Sequence, residues 1–260
     1  MSELFEALRQ AIHREDAVAL ATLVRGEPLG SKLLVYDDGR TLGSLGDPAL
    51  DQAVAADARA LLPRGEPELR SYRSQHGEEV DVYLESVLPP RRLVVIGAVH
   101  IAIPLVAMAR QLGYRTTVID AREFFATPER FPHADELIVA WPDEAMSRIP
   151  LGPQTDIVIL AHDEKFEDPA LQVALRSRAG YIGAIGSRKT SEARAARLHQ
   201  AGFSEEDIAR IHGPIGIDIG AQTPAEIAVS ILAEIIAVRR GRDPRHGGSD
   251  VRPAKATADR

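Results

Sequence analysis

Short apolar runs alternate with amphipathic stretches from residue 91 to residue 240. The stretches IPLVAMARQLG and DPALQVALRSR have the apolar spacing of helices. The last stretch, Pro224 to Val238, is apolar almost all round and predicts a deeply packed helix. Strands that alternate with helices of these lengths imply an α/β fold, a doubly wound parallel sheet with helices on both faces. Five apolar runs predict its strands: RRLVVIG, RTTVID, ELIVAW, TDIVILAH and YIGAIG.

Residues 1–88 have a different pattern. The run MSELFEALRQ predicts an amphipathic helix, AVALATLV and SKLLVYDD predict strands, and an alanine-rich helix follows at Pro48–Leu62, so we expect a smaller α+β domain. The turn at Asp37–Arg40 predicts a hairpin. Pro89-Pro90 can continue neither a ladder nor a helix and marks the joint to the second domain, residues 91–240.

The C-terminal segment, residues 241–260, has little to bury, and we expect it to be disordered. From Arg239 onward the chain has seven basic and three acidic residues. Such a tail can bind nucleic acid, but a solvated terminus is the favoured interpretation.

Composition narrows the class of protein. The formal net charge of −7 over 260 residues argues against nucleic acid or an anionic membrane as a partner and favours small molecules or proteins. The sequence has no cysteine, which excludes disulfides, thiolate metal sites and cysteine nucleophiles within it. The acidic N-terminal helix does not fit a signal peptide, and no apolar run reaches the ~18 residues that span a bilayer, so we expect a cytoplasmic protein.

The first strand ends in an incomplete dinucleotide fingerprint. In G-x-G-x-x-G/A, Gly97 supplies the first glycine and Ala102 the closing small residue, but Val99 takes the second glycine position and would obstruct the pyrophosphate. Asp120 ends the second strand, where it could accept a bond from a ribose hydroxyl, and Arg122 follows it. Alternatively, Gly97 only permits a tight turn and Asp120 caps the next segment.

Two histidines are placed where ligands of α/β sheets bind. His162 and Asp163 follow the fourth strand and could orient a proton donor or bind a metal, but no second histidine has close ligand spacing, so we predict no metal site. His100 either faces a ligand or is a satisfied polar residue at a helix start. Asp168, which precedes Pro169, is predicted to be a helix N-cap.

The segment YIGAIGSRKT is predicted to be an anion-binding corner. Gly183 and Gly186 would let the backbone approach a phosphate, Ser187 would cap the following helix, and Arg188 and Lys189 add positive charge. The alternative is a glycine bend with a solvated first helical turn.

A second glycine-rich segment, GPIGIDIGAQTP, contains Gly216 and Asp218 and is predicted to be another anion-binding corner. Thr223 and Glu226 then form a capping box of the T-x-x-E type. The following helix has a narrow polar stripe, which is either structural or faces water, a partner or an arginine. The stripe consists of Glu226, Ser230 and Glu234.

Several of these motifs together resemble one family. VVIGAVHIA, VIDARE, RFP, AHD, YIGAIGSRKT and GPIGIDIGAQTPAEIAVSILAEI are similar to the C-terminal Rossmann-type domain of the XdhC/CoxI family, and GSKLLVYDDGRTLGSLGDPAL resembles its leading domain. The family comprises maturation factors for molybdenum hydroxylases such as xanthine dehydrogenase and carbon monoxide dehydrogenase. The chain departs from the family at Val99, where members usually have glycine, and near Gly43–Asp47, where many have a cysteine.

The resemblance implies a chaperone that binds the molybdenum cofactor, a pterin with a dithiolene and a phosphate or nucleotide, rather than a stand-alone catalyst. Such a protein would protect the cofactor, support its sulfuration and deliver it to a molybdenum hydroxylase; a sulfurase and a second copy of the chain are further candidate partners. Gly183, Gly186, Ser187 and Arg188 would hold the phosphate, with His162 and Asp163 near the pterin. The remaining expected contacts are Gly97, His100, Asp120, Arg122, Gly216 and Asp218.

Two rival interpretations remain open at this stage. An NAD(P)-dependent oxidoreductase would use the Gly97 corner and Asp120 for the nucleotide and His162 as proton donor. A protein-interaction module that has lost its ligand would use neither the Gly97 corner with Asp120 nor His162. No catalytic residue is assigned.

Overall fold

The structure is a computed structural model that describes residues 3–62 and 65–243. The first part of the chain builds an antiparallel sheet of five strands in the order β3-β2-β1-β5-β4. Its elements are α1 (Glu3–His13), β1 (Val18–Arg25), β2 (Lys32–Tyr36), β3 (Thr41–Ser44), α2 (Pro48–Leu61), β4 (Glu68–Arg73) and β5 (Glu79–Val87).

The antiparallel sheet buries both of its faces, at least in part. Alternate residues of β1 point to opposite faces, so that Ala19, Ala21 and Leu23 pack in the cluster that includes α2, whereas Val18 and Leu20 pack against α1. The predicted hairpin between β2 and β3 is confirmed, with Gly39 at a φ of 91° in its turn.

The second part of the chain builds a parallel sheet of six strands in the order β11-β10-β9-β6-β7-β8. The strands are β6 (Arg92–Ile96), β7 (Arg115–Ile119), β8 (Glu136–Ile138), β9 (Thr155–Ile159), β10 (Tyr181–Ala184) and β11 (Ile211–His212). The helices are α3 (Ala102–Gln111), α4 (Pro142–Met146), α5 (Glu164–Arg176), α6 (Arg188–Gln200), α7 (Glu205–Ala209) and α8 (Pro224–Arg239).

Helices cover both faces of the parallel sheet, which confirms the predicted doubly wound α/β fold. Residues of α3 and α8 form one buried layer, and residues of α4, α5 and α6 form the other. Counted from β6 as the first strand, the order from β8 to β11 is 3-2-1-4-5-6, the order of the Rossmann fold. The chain therefore reverses its direction of winding between β6 and β9, and ligands of such sheets bind at that point.

Three expectations about elements need correction. Asp168 does not cap a helix: α5 already begins at Glu164, its N-cap is Asp163, and Pro169 lies inside it. The strand β11 has only two residues and was not predicted, because so short a segment shows no periodicity. The helix α8 is buried on one side only, since Val229 and Ile236 remain 47% and 42% exposed.

Ion pairs link the two parts of the chain across the joint at Pro89-Pro90. Glu15 pairs with Arg92 and Arg115 at 3.6 and 2.5 Å, and Asp37 pairs with Arg178 at 2.8 Å. A cavity of about 390 Å³ lies at the same joint, near the amino ends of the parallel strands, so it is remote from the edge where ligands of α/β sheets bind.

The predicted disordered segment, 241–260, falls outside the described residues except for 241–243. Within the residues that the structure describes, no helix has the length and apolarity needed to traverse a bilayer.

Candidate functional site

Four corners meet along the carboxyl edge of the parallel sheet. Since β7, β6, β9 and β10 are parallel neighbours in that order, the residues that follow them lie side by side. In the same order these residues are Arg122, His100, the pair His162 and Asp163, and the pair Ser187 and Arg188. Gly97, Asp120 and Gly186 also follow these strands, so the four corners contain nine of the twelve residues that the sequence predicts for the site.

Gly97 is required by the close approach of β6 and β9. Its φ is 102°, and a Cβ at this position would lie 2.9 Å from the backbone nitrogen of Ala161. That distance is shorter than a van der Waals contact. The glycine thus lets the two corners at the switch point lie next to each other.

Asp120 is fully buried, and its carboxylate is saturated by protein donors. Oδ2 accepts from the amide of Ala98 and from Nη2 of Arg122, both at 2.8 Å. Oδ1 accepts from the amide and Nε of Arg122 at 3.0 and 2.8 Å. Burial opposes ionisation, but the bonds from Arg122 and Ala98 keep the pKa of Asp120 below its ordinary value. With about four lone-pair sites occupied, Asp120 has the capping role and not the predicted ribose contact.

Arg122 presents the free side of its guanidinium at this edge. The guanidinium carbon lies 4.4 Å from the ring centroid of Phe125 and 5.3 Å from that of Phe166. Nε and Nη2 bond Asp120, whereas Nη1 has no acceptor among the described residues and the side chain is 46% exposed. An arginine held in this way is a preorganised donor for an oxygen of a ligand.

The corner after β9 has an exposed histidine beside a helix cap. Asp163 accepts a bond from the amide of Lys165 at 3.0 Å, so this carboxylate caps α5. His162 and His100 are exposed. Within residues 3–62 and 65–243, no three His, Asp or Glu side chains gather in a way that could hold a metal ion.

The corner after β10 keeps the features of an anion site. Ser187 caps α6 by accepting from the amide of Thr190 at 3.2 Å, which confirms its predicted role. The amides of Arg188 and Lys189 have no acceptor among the described residues, and both side chains are exposed. Gly186 has a φ of 148°, which turns the strand into this helix.

Gly183 does not belong to the corner. It lies inside β10, buried and paired with Val158 and His212, and a Cβ there would lie 2.5 Å from Cδ1 of Ile215. The predicted phosphate contact by Gly183 is therefore wrong, because the residue serves the packing of Ile215 onto the strand.

A buried ion pair, which sequence patterns did not predict, supports the same corner. Nε and Nη2 of Arg194 bond the two carboxylate oxygens of Glu167 at 2.7 and 3.1 Å, and both side chains are at most 3% exposed. Nη2 also donates to the carbonyl of Ile185 at 2.6 Å. The pair thus fixes the backbone just before Gly186.

The second glycine-rich loop binds an anion of the protein itself. Oε2 of Glu234 accepts from the amide of Gly216 at 2.7 Å and from the hydroxyl of Tyr181 at 2.5 Å, and Oε1 lies 3.4 Å from Nδ1 of His212. Burial opposes ionisation, but bonds from His212, Tyr181 and Gly216 hold the pKa of Glu234 below its ordinary value. Gly216 is therefore not free to bind a ligand, contrary to expectation.

Other polar residues of α8 and its N-cap also make hydrogen bonds within the protein. Ser230 donates to the carbonyl of Ile217 at 2.6 Å, and Thr223 and Glu226 form the predicted capping box. Asp218 is exposed and accepts from the amide of Gly220 at 3.2 Å. The polar stripe is thus structural over most of its length.

The strand order 3-2-1-4-5-6 and the switch point between β6 and β9 define a Rossmann-type fold, and the corner after β10 is its candidate anion site. The chain belongs to the XdhC family: the family model described as the XdhC Rossmann domain matches residues 93–235. The model described as the XdhC and CoxI family matches residues 11–73.

Individual relatives support this assignment. The chain is 25% identical over 280 residues to the molybdenum cofactor insertion chaperone PaoD of Escherichia coli (strain K12), covering 88% of this chain and 86% of PaoD. It is 29% identical over 235 residues to the uncharacterized protein YqeB of the same organism (86% and 42%). It is also 29% identical over 163 residues to a probable xanthine dehydrogenase subunit of Bacillus subtilis (strain 168) (63% and 47%). The chain thus spans less than half the length of the last two relatives.

A solved structure shares the whole fold. The crystal structure described as a xanthine dehydrogenase from Bacillus halodurans superimposes with a TM-score of 0.53 at 21% identity, over 94% of this chain and 97% of that one.

Proposed function

We propose that the protein binds the molybdenum cofactor as cargo at the carboxyl edge of the parallel sheet and supports its maturation and insertion into a molybdenum hydroxylase of the xanthine dehydrogenase type. The observation that carries this proposal is the similarity to PaoD over more than four fifths of both chains. The free amides and exposed cations at the start of α6 supply a chemical reason for it, since they suit a phosphate.

The donor set at this edge fits the organic part of the cofactor. The amides and side chains of Arg188 and Lys189 would hold the phosphate, and Nη1 of Arg122 would donate to a ring oxygen or nitrogen of the pterin. His162 and His100 lie between these two groups in the order of the strands. The protein would therefore bind the cofactor at two points, its phosphate and its pterin ring.

The donor set does not fit the metal or its sulfur ligands. The sequence has no cysteine, and the described residues contain no cluster that could ligate a metal. The chain would therefore not hold molybdenum through its own side chains, and any sulfuration would need a thiolate from another protein, such as a sulfurase. We place these steps in the cytoplasm, with the hydroxylase as the receiving partner.

Replacing Arg188 by alanine is expected to weaken binding of the cofactor about 10-fold, because one charge-assisted bond to the phosphate is lost. Isothermal titration of anaerobically released cofactor into the purified protein measures the effect. Arg148→Ala is the matched control, since Arg148 is 63% exposed and follows α4, towards the opposite end of the sheet. Equal affinities of the two variants would contradict the assignment of the phosphate to α6.

NAD and NADP are expected not to bind. Asp120 has no lone pair left for a ribose hydroxyl, and Val99 stands at the position where the fingerprint requires a second glycine. Titration of both nucleotides into the wild-type protein tests this directly. Tight binding of either would instead favour an oxidoreductase.

A further inference from the structure

An aromatic cluster borders the carboxyl edge beside the proposed site. Of the six phenylalanines and one tryptophan in the chain, four gather at the ends of β7, β8 and β9. They are Phe124, Phe125, Trp141 and Phe166. Two of them remain open to solvent, since Phe124 is 84% and Trp141 is 47% exposed. Packing of the hydrophobic core therefore does not account for these two aromatic side chains at the edge.

Trp141 and Phe166 have the geometry of a stack. Their ring centroids lie 4.8 Å apart with an interplanar angle of 28°. Phe166 is 8% exposed and belongs to the first turn of α5, which follows His162 and Asp163. Trp141 occupies the N-cap position of α4, three residues after the end of β8, and its side chain makes no capping hydrogen bond. The buried phenylalanine therefore supports an indole ring that remains half-open to solvent.

Arg122 completes this surface with a directional donor. Its guanidinium lies over the ring of Phe166, and its bonds to Asp120 fix the orientation of the guanidinium plane. Nη1 has no acceptor among the described residues. A flat ring with oxygen or nitrogen acceptors at its rim matches this combination of an aromatic face and a fixed N–H donor.

We propose that Trp141, Phe166 and Arg122 form a stacking platform for a planar heteroaromatic ring, either a pteridine or a nucleobase. The proposed function supplies the cargo to which that ring belongs, so the inference deepens it: the phosphate binds at α6 and the ring stacks on the platform. Arg122 follows β7 and α6 follows β10, and the two strands β6 and β9 lie between them in the sheet. The two binding groups are therefore separated along the edge, as an extended ligand requires.

Trp141 provides a direct probe because it is the single tryptophan of the chain. Its fluorescence lifetime is expected to change when neopterin, CMP or GMP is added to the full-length protein and to stay constant with inorganic phosphate. A response to neopterin alone assigns the ring to a pteridine, and a response to one of the nucleotides alone assigns it to a nucleobase. No lifetime change and no heat of binding with any of the three compounds would overturn the platform.

Titration calorimetry with released molybdenum cofactor and the same three compounds adds the variants. Trp141→Ala is expected to bind the responding ring about 10-fold more weakly, and Trp141→Phe to retain most of the affinity. Phe5→Ala is the control, since Phe5 is 51% exposed on α1, beside the other sheet. Equal affinities of Trp141→Ala and Phe5→Ala would overturn the proposal.

The two proposals fail in different ways. If the cofactor binds and Trp141→Ala has no effect on its affinity, the platform is wrong and the proposed function stands. If the cofactor does not bind but a free pteridine or nucleotide binds in a Trp141-dependent manner, the platform stands and the proposed function is wrong.

Discussion

Replacing Glu167 by leucine is expected to lower the free energy of unfolding by about 3–5 kcal/mol, the usual cost of leaving a buried charge unpaired. Arg194 would lose both of its bonds to the carboxylate while it remains enclosed between α5 and α6. The same guanidinium bonds the carbonyl of Ile185, so the corner before Gly186 would loosen as well. Chemical denaturation of the purified variant measures the loss.

Two further variants isolate the buried charge as the cause. Asp168→Ala removes the adjacent carboxylate, which is 25% exposed and pairs with Arg197 at 2.8 Å, and is expected to cost only about 0–1 kcal/mol. The double variant Glu167→Leu/Arg194→Leu removes both charges and is expected to be more stable than Glu167→Leu alone. Equal losses for Glu167→Leu and Asp168→Ala would contradict this account of the pair.

Replacing Glu234 by glutamine is expected to lower the free energy of unfolding by about 1.5–3 kcal/mol at neutral pH, because the bonds from Tyr181 and Gly216 lose a charged acceptor. The loop that contains Gly216 should open more often, and the amide of Gly216 should then exchange hydrogen faster. Native-state hydrogen exchange and chemical denaturation measure the two effects.

The pH dependence of the Glu234 effect has a definite sign. The pKa of this carboxyl is lower in the folded protein than its ordinary value, so its contribution is fully present above the ordinary glutamate pKa. That contribution is lost as the pH falls through the folded pKa. The stability difference between wild type and Glu234→Gln should therefore shrink in acid. Glu192→Gln, on the exposed surface of α6, is the control for the substitution itself and should leave the free energy of unfolding at neutral pH nearly unchanged.

The alternation of apolar runs predicts the parallel sheet because buried strands and helices between them have distinct lengths and periods. Local capping is also readable from sequence, as Ser187 and the box of Thr223 and Glu226 demonstrate. The start of α5 is harder to predict, since two aspartates compete as caps and the cap at Asp163 prevails despite Pro169 inside the helix.

The partners of charged residues could not be predicted, because they are distant along the chain. Glu167 and Arg194 are 27 residues apart, and Tyr181 and Glu234 are 53 residues apart. Asp120 is a different case, because Arg122 lies only two residues later. Arg122 and the amide of Ala98 together occupy the carboxylate at the position where the dinucleotide fingerprint places the acidic residue that bonds ribose. The glycine loop at Gly216 shows the same principle, since its anion is a side chain of the neighbouring helix. The glycine pattern predicts an anion-binding loop, but the identity of the anion depends on how α8 packs against that loop.

The pterin and molybdenum content of the full-length protein, purified anaerobically from cells that synthesise the molybdenum cofactor, tests the proposed cargo most directly. We predict that pterin and molybdenum co-purify in equal amounts, at up to one of each per chain, and that Arg188→Ala loses most of both while Arg148→Ala retains them. A wild-type protein that contains neither pterin nor molybdenum under these conditions, and that binds no released cofactor, would contradict the proposal.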